Sequence, residues 1–206
     1  MTIEFQAWPK TPRLFRDMII TEKLDGTNAA VVIEQVTGYQ IDTPLWGGEP
    51  DCFEVDGGAY RIGAQSRKRL IYPGADNFGF AGWVRENAVE LIRALGVGRH
   101  FGEWWGHGIQ RGYGLKQGDR RFSLFNVERY AGLTSDLPGL GVVPSLCRYA
   151  FDTRQVENTL AFLRENGSAA APGFMQPEGV IVFQTAASQV FKALIENDDQ
   201  PKGLNQ

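Results

Sequence analysis

The chain has 206 residues, 43% hydrophobic and 22% charged, with a net charge of −3, which fits one soluble globular domain with a sizeable core. Two widely spaced cysteines (Cys52, Cys147) and two histidines (His100, His107) leave almost no material for a disulfide framework, a structural zinc or a Ser-His-Asp triad, and point to a reduced cytoplasmic protein. No run reaches the roughly 18 apolar residues that span a bilayer, and the N-terminus lacks a signal-peptide pattern.

In chain order, Thr21-Glu22-Lys23-Leu24-Asp25-Gly26-Thr27-Asn28 sets a lysine two residues before an Asp-Gly turn and runs into a strand, Ala29–Glu34. A lysine so placed is a candidate nucleophile, because its amine attacks strongly once neutral. The Gly/Pro/Asp-rich segment 42–58 reads as a surface insertion or hairpin. A strand over Tyr60–Ala64 leads to Gln65-Ser66-Arg67-Lys68-Arg69, a positive fork fit to hold a phosphate or ribose. Asp76 or Asn77 caps a helix whose stripe Phe80, Trp83, Val84, Ala88, Leu91, Ile92 and Leu95 continues to Gly96.

The strand Phe101–Trp105 carries Glu103 among aromatic residues, where a carboxylate is costly unless it is hydrogen-bonded. Glu103 is therefore either a ligand-binding group, a cap or a buried partner for Arg111. Gly112-Tyr113-Gly114 is no Rossmann fingerprint and reads as a turn or a loop over substrate. The strand Arg121–Val127 turns Ser123 and Phe125 to one face. Asp152 and Gln155 resemble a capping box for a helix with Val156, Leu160 and Leu163 on its buried stripe, stopped by Gly167. Strands at Gly179–Gln184 and Gln189–Ile195 follow, with Glu178 at the mouth of the first and Lys192 on the second; beyond Asn197 a mobile tail is expected. Residues 61–130 hold twelve Lys/Arg and six Asp/Glu, a local net of +6 against −9 elsewhere, the asymmetry of a phosphate-binding face. Strands outnumber helices without βαβ alternation, so the fold class is α+β, antiparallel sheets with a few packed helices.

In this order, the segments around Lys23, Arg67, Glu103, Phe125, Glu178 and Lys192 resemble the motifs of the covalent nucleotidyltransferase superfamily, which comprises DNA ligases, RNA ligases and mRNA-capping enzymes. They are most similar to ATP-dependent RNA ligases of the nick-sealing branch, in which Glu precedes the lysine and Gly-Thr-Asn closes the motif. The resemblance implies an adenylyltransferase domain over 1–197 without an OB-fold, followed by the tail 198–206. It implies that Lys23 takes AMP from ATP, with Mg²⁺ or Mn²⁺, passes it to an RNA 5′-phosphate, and seals that end to a 3′-hydroxyl. The backbone of Glu22 and Leu24 with the Asn28 amide would frame the nucleotide. Arg67 would contact AMP or the strand, Glu103 the ribose, Phe125 the adenine face, Glu178 the metal and Lys192 the α-phosphate. A compact DNA ligase and a non-sealing RNA- or nucleotide-binding module are the other readings, and a partner protein is expected to supply an appendage.

Two departures stand out. Where the family has Lys-x-Lys in its last motif, this chain has Lys192 and Leu194, with Lys202 as a possible substitute; where the family has Phe-Asp, it has Phe125-Asn126.

Overall fold

The computed structural model describes residues 3–37 and 52–196. In chain order the elements are β1 (Asp17–Lys23), β2 (Thr27–Gln35), β3 (Cys52–Val55), β4 (Gly58–Ser66), β5 (Leu70–Ile71), α1 (Phe80–Glu86), α2 (Ala88–Leu95), β6 (Gly98–Gly106), β7 (Arg120–Leu124), β8 (Leu140–Val142), β9 (Ser145–Ala150), α3 (Thr153–Asn166), β10 (Gly179–Gln184) and β11 (Gln189–Leu194). They form a small sheet in the order β11-β10-β1-β9 and a larger one in the order β3-β4-β2-β6-β7-β8, with β5 paired to β4. Every pairing is antiparallel except β7 with β8. This is the α+β arrangement expected from the sequence.

Each sheet has its own core. Ala29, Val31 and Ile33 of β2, with Trp104, Phe122 and Leu124, pack against Phe80, Val84, Leu91 and Ile92 of α1 and α2. Met18 and Ile20 of β1, with Val180 and Val182 of β10, pack on Leu160 and Leu163 of α3. Between them lies a third cluster, Leu24, Trp105, Tyr113, Val143 and Ala171. Burial of such clusters at about 25 cal/mol per Å² is the main force holding sheets and helices together.

The first helix differs from its sequence pattern. The apolar spacing continues past Glu86, but Asn87 stands between α1 and α2 and returns its side-chain amide to the Trp83 carbonyl at 2.7 Å. The N-cap of α1 is left-handed Gly79 rather than Asp76 or Asn77, but the Asp76 carboxylate reaches the first turn from upstream and accepts the N–H groups of Ala81 at 2.9 Å and Gly82 at 3.2 Å. At α3, Asp152 is the N-cap, accepting the Arg154 N–H at 2.9 Å, and its carboxylate also binds the Arg154 guanidinium; Gln155 gives its backbone N–H to the Asp152 carbonyl at 3.0 Å, so the reciprocal side-chain half of the expected capping box is not formed. The strand expected to reach Val127 stops at Leu124, because Asn126 caps a turn by accepting the Arg129 N–H at 3.0 Å. Within segment 42–58, residues 52–58 belong to the β3–β4 hairpin, turned by left-handed Asp56 (φ 50°) and Gly57 (φ 81°). The rest of that segment, Lys202 and the tail 198–206 lie outside the described residues.

Candidate active site at the junction of the two sheets

Lys23 is the last residue of β1 and Glu178 the residue before β10, and Lys23 lies opposite Gly179 in the antiparallel register. That pairing brings Lys23 Nζ to 2.5 Å from Glu178 Oε2, with the two side chains only 21% and 10% exposed. Gly179 is fixed in kind by its neighbours: a Cβ there would collide with the Ala193 carbonyl and sit 2.8 Å from the Leu194 Cα. The amine is therefore largely shielded from solvent with a carboxylate as its direct partner.

Across the turn, the large sheet supplies the facing groups. Asn28 of β2, Glu103 of β6 and Ser123 of β7 pair in one row and so share a face. Glu103 Oε1 accepts the Gly26 N–H at 3.1 Å, tying the turn to β6. Burial pushes the Glu103 carboxyl up to about 7; the Lys23 charge and the Gly26 N–H pull the other way, and the Glu178 and Asp25 carboxylates add to the rise. Gly26 is required here, since a Cβ would meet the Trp104 carbonyl and lie 2.8 Å from Trp105 Cβ. Asn77 donates to Thr27 Oγ1 at 2.6 Å and steadies the far side of the turn.

Glu22 points to the opposite face of β1. It is buried, accepts the Ala169 N–H at 2.8 Å and the Ala170 N–H at 3.0 Å through Oε2, and leaves Oε1 without a partner. Burial raises its pKa, partly offset by the Ser168 hydroxyl and those two amides. Its own N–H is bonded to the Pro144 carbonyl at 3.0 Å. Leu24 is buried in the third cluster.

Arg67 follows the end of β4 directly, where Ser66 pairs Ala29, and is exposed with Lys68 and Arg69. Phe125 continues the β6–β7 ladder by one bond, its N–H to the Phe101 carbonyl at 3.0 Å, and is 39% exposed. Lys192 pairs Ile181, which pairs Thr21, so it lies on the same sheet face as Lys23, and it is exposed. Leu194 pairs Gly179 and is thus on the same cross-strand line as Lys23.

Two residues that the sequence did not single out for the site complete it. Arg111, weighed there as a partner for Glu103, instead pairs with Asp25 at 3.0 Å and donates to the Gln176 carbonyl at 2.9 Å. Tyr113 accepts the Asp25 N–H at 2.7 Å. Burial, the largest influence, raises the Tyr113 pKa, so its phenol keeps its proton in the ordinary pH range.

Among the described residues no cluster of three or more His, Cys, Asp or Glu forms a metal cage. The Glu178 carboxylate beside Lys23 suits Mg²⁺ or Mn²⁺ held by one carboxylate together with a ligand's phosphates and water. Among the described residues no helix is long and apolar enough to cross a membrane.

The family model described as RNA ligase matches residues 16–194. No curated protein matches the chain. Among solved structures, a Naegleria gruberi RNA ligase mutant with AMP and Mn is similar, with a TM-score of 0.54 and 18% identity over 88% of this chain and 50% of that one. A second mutant with ATP and Mn gives a TM-score of 0.53 and 20% identity over 89% and 51%. An apo mutant gives 0.52 and 19% over 86% and 49%. The chain thus spans about half the length of the solved structures it matches.

Proposed function

Since the chain belongs to the RNA ligase family, we propose that it is an ATP-dependent RNA ligase in which Lys23 is the nucleophile that carries AMP. The observation that supports this most is the Lys23–Glu178 contact at 2.5 Å, at the joint where the small sheet meets the Asn28–Glu103 row of the large one. The Naegleria proteins with ATP or AMP and Mn support the same nucleotide and a divalent ion here.

In the first step Lys23 Nζ releases a proton to solvent and, while a remaining N–H can still bond Glu178, attacks the α-phosphate with the lone pair so freed. An N–P bond forms, the bond to the bridging oxygen breaks, and pyrophosphate leaves with that electron pair. Glu103 accepts from the ribose hydroxyls, Phe125 covers one face of the adenine, and the Glu22–Leu24 backbone with Asn28 frames the nucleotide. Arg67 and Lys192 meet phosphate oxygens. The metal, held through Glu178, neutralises phosphate charge when bound. AMP then passes to an RNA 5′-phosphate, and a 3′-hydroxyl displaces it to seal the strand. Both later transfers depend on positioning and charge rather than on further chemistry from side chains.

Leu194 favours a second reading. It puts an aliphatic side chain on the Lys23 line where the family has a lysine, as a nucleotide- or RNA-binding module without sealing would tolerate. Pure protein incubated with α-³²P-ATP and Mg²⁺ or Mn²⁺ is expected to retain label on a denaturing gel, and Lys23→Ala to retain none. No label from folded protein free of bound AMP would leave the module. Sealing of a nicked RNA but not a nicked DNA would set the substrate class, the 2′-hydroxyl being the local difference between them.

A further inference from the structure

The loop between β6 and β7 carries an unusual backbone. Gln110 is left-handed (φ 45°), and so are three residues in succession, Gly112 (φ 67°), Tyr113 (φ 52°) and Gly114 (φ 66°). Glycine adopts that conformation freely, whereas a bulky side chain pays about 1 kcal/mol or more and persists only where its surroundings hold it. Tyr113 is so held: its ring is 2% exposed, with centroids 4.9 Å from Trp105 and 4.7 Å from Phe174.

What the strained tyrosine reaches is specific. Its hydroxyl accepts the Asp25 N–H at 2.7 Å, and Arg111 binds both the Asp25 carboxylate at 3.0 Å and the Gln176 carbonyl at 2.9 Å. Asp25 lies two residues after Lys23, and Gln176 two residues before Glu178. One loop rooted in the large sheet therefore grips the two short segments that deliver Lys23 and Glu178 from the small sheet. The Arg111–Asp25 pair is about one-third exposed, so its contribution to stability is small and its value lies in geometry.

We propose that Arg111 and Tyr113 are positioning residues for lysine adenylylation, fixing Lys23 and Glu178 against the nucleoside-binding row that includes Glu103. The proposal rests on the ligase reading above. Neither side chain touches the reacting atoms; both act through Asp25 and the Gln176 backbone. A nucleophile displaced by about 1 Å loses on the order of a hundredfold in rate, and these bonds are what resists such a displacement.

The test measures single-turnover label transfer from α-³²P-ATP to wild type, Tyr113→Phe, Arg111→Met and Arg111→Ala over a range of ATP concentrations, beside thermal melting. Tyr113→Phe keeps the ring packing and removes only the acceptor, so it stays folded. The maximum rate is expected to fall about 10- to 100-fold in the variants, with half-saturating ATP within about threefold of wild type. Added guanidinium is expected to restore part of the Arg111→Ala rate. The Arg111→Met and Tyr113→Phe losses combined in one chain should be less than the product of the two, as for groups acting through a shared partner. Maximum rates within twofold of wild type, losses that only follow the folded fraction, or a raised ATP requirement at unchanged maximum rate would each overturn the proposal. Absence of label on wild type itself would instead overturn the ligase reading on which it stands.

Discussion

Replacing Glu103 by Gln should change how stability depends on pH, and by an amount the structure fixes. The Glu103 carboxyl is pushed by burial from the ordinary 4.5 to about 7 in the folded protein. Between those values the folded state holds a proton that the unfolded chain has released, so raising the pH removes stability across that window and removes no more above it. At about 1.4 kcal/mol per unit, the carboxyl costs roughly 1 kcal/mol at pH 5 and roughly 3 kcal/mol at pH 8. Gln is uncharged at both, keeps an oxygen for the Gly26 N–H at the Glu103 position, and carries no such penalty. Urea unfolding of both proteins at the two pH values reads the effect, because titrating groups remote from Glu103 cancel in the difference and only its neighbours Lys23, Glu178 and Asp25 are coupled to it. The Gln variant is expected to gain about 2 kcal/mol on wild type between pH 5 and pH 8. A wild-type-to-variant difference that stays constant with pH would show that Glu103 is not held in the desolvated site described here, and would remove the reason for assigning it to a ligand's hydroxyls.

Two further outcomes follow from the turn and the last strand. Gly26→Ala puts a methyl against the Trp104 carbonyl and Trp105 Cβ, where backbone must move, so a loss of about 2 kcal/mol or more in urea unfolding is expected together with loss of labelling. A variant as stable as wild type would show that the turn is looser than its contacts indicate. Leu194→Lys adds a cation on the Lys23 cross-strand line and is expected to speed AMP transfer from labelled protein to a 5′-phosphorylated RNA about fivefold at low salt, with the gain shrinking as salt rises. An unchanged rate would show that Lys192 alone meets the phosphate charge.

The sequence was most readable where local chemistry repeats. β4, β6, β10 and β11 carry compact apolar runs bounded by turns, and Asp152 as N-cap and Asp76 as an acceptor for the first turn announced their helices. β1 was not delimited, because Met18, Ile19 and Ile20 are buried on both faces and show no alternation. β8 is three half-buried residues pairing parallel to β7, too short for any period. The break at Asn87 was invisible because the apolar spacing runs straight through it. Of the candidate site, Lys23, Glu103 and Glu178 were proposed from residue type and motif order, while the Arg111 and Tyr113 contacts to Asp25 span more than eighty residues of chain and leave no local trace.

That division has a structural cause. The backbone passes between the sheets at residues 24–26 and again at residues 143–144, and the two crossings lie together: Glu22 N–H binds the Pro144 carbonyl at 3.0 Å, and Leu24 and Val143 share one cluster. A motif of eight residues therefore reaches both sheets, placing its lysine on one and its asparagine on the other. Short sequence can name the groups that the crossing carries, since they must be neighbours in the chain. It cannot name what holds the crossing still, since those contacts come from the β6–β7 loop and from the segment after α3. Chemistry at such a seam is consequently encoded locally, and its precision is encoded at a distance.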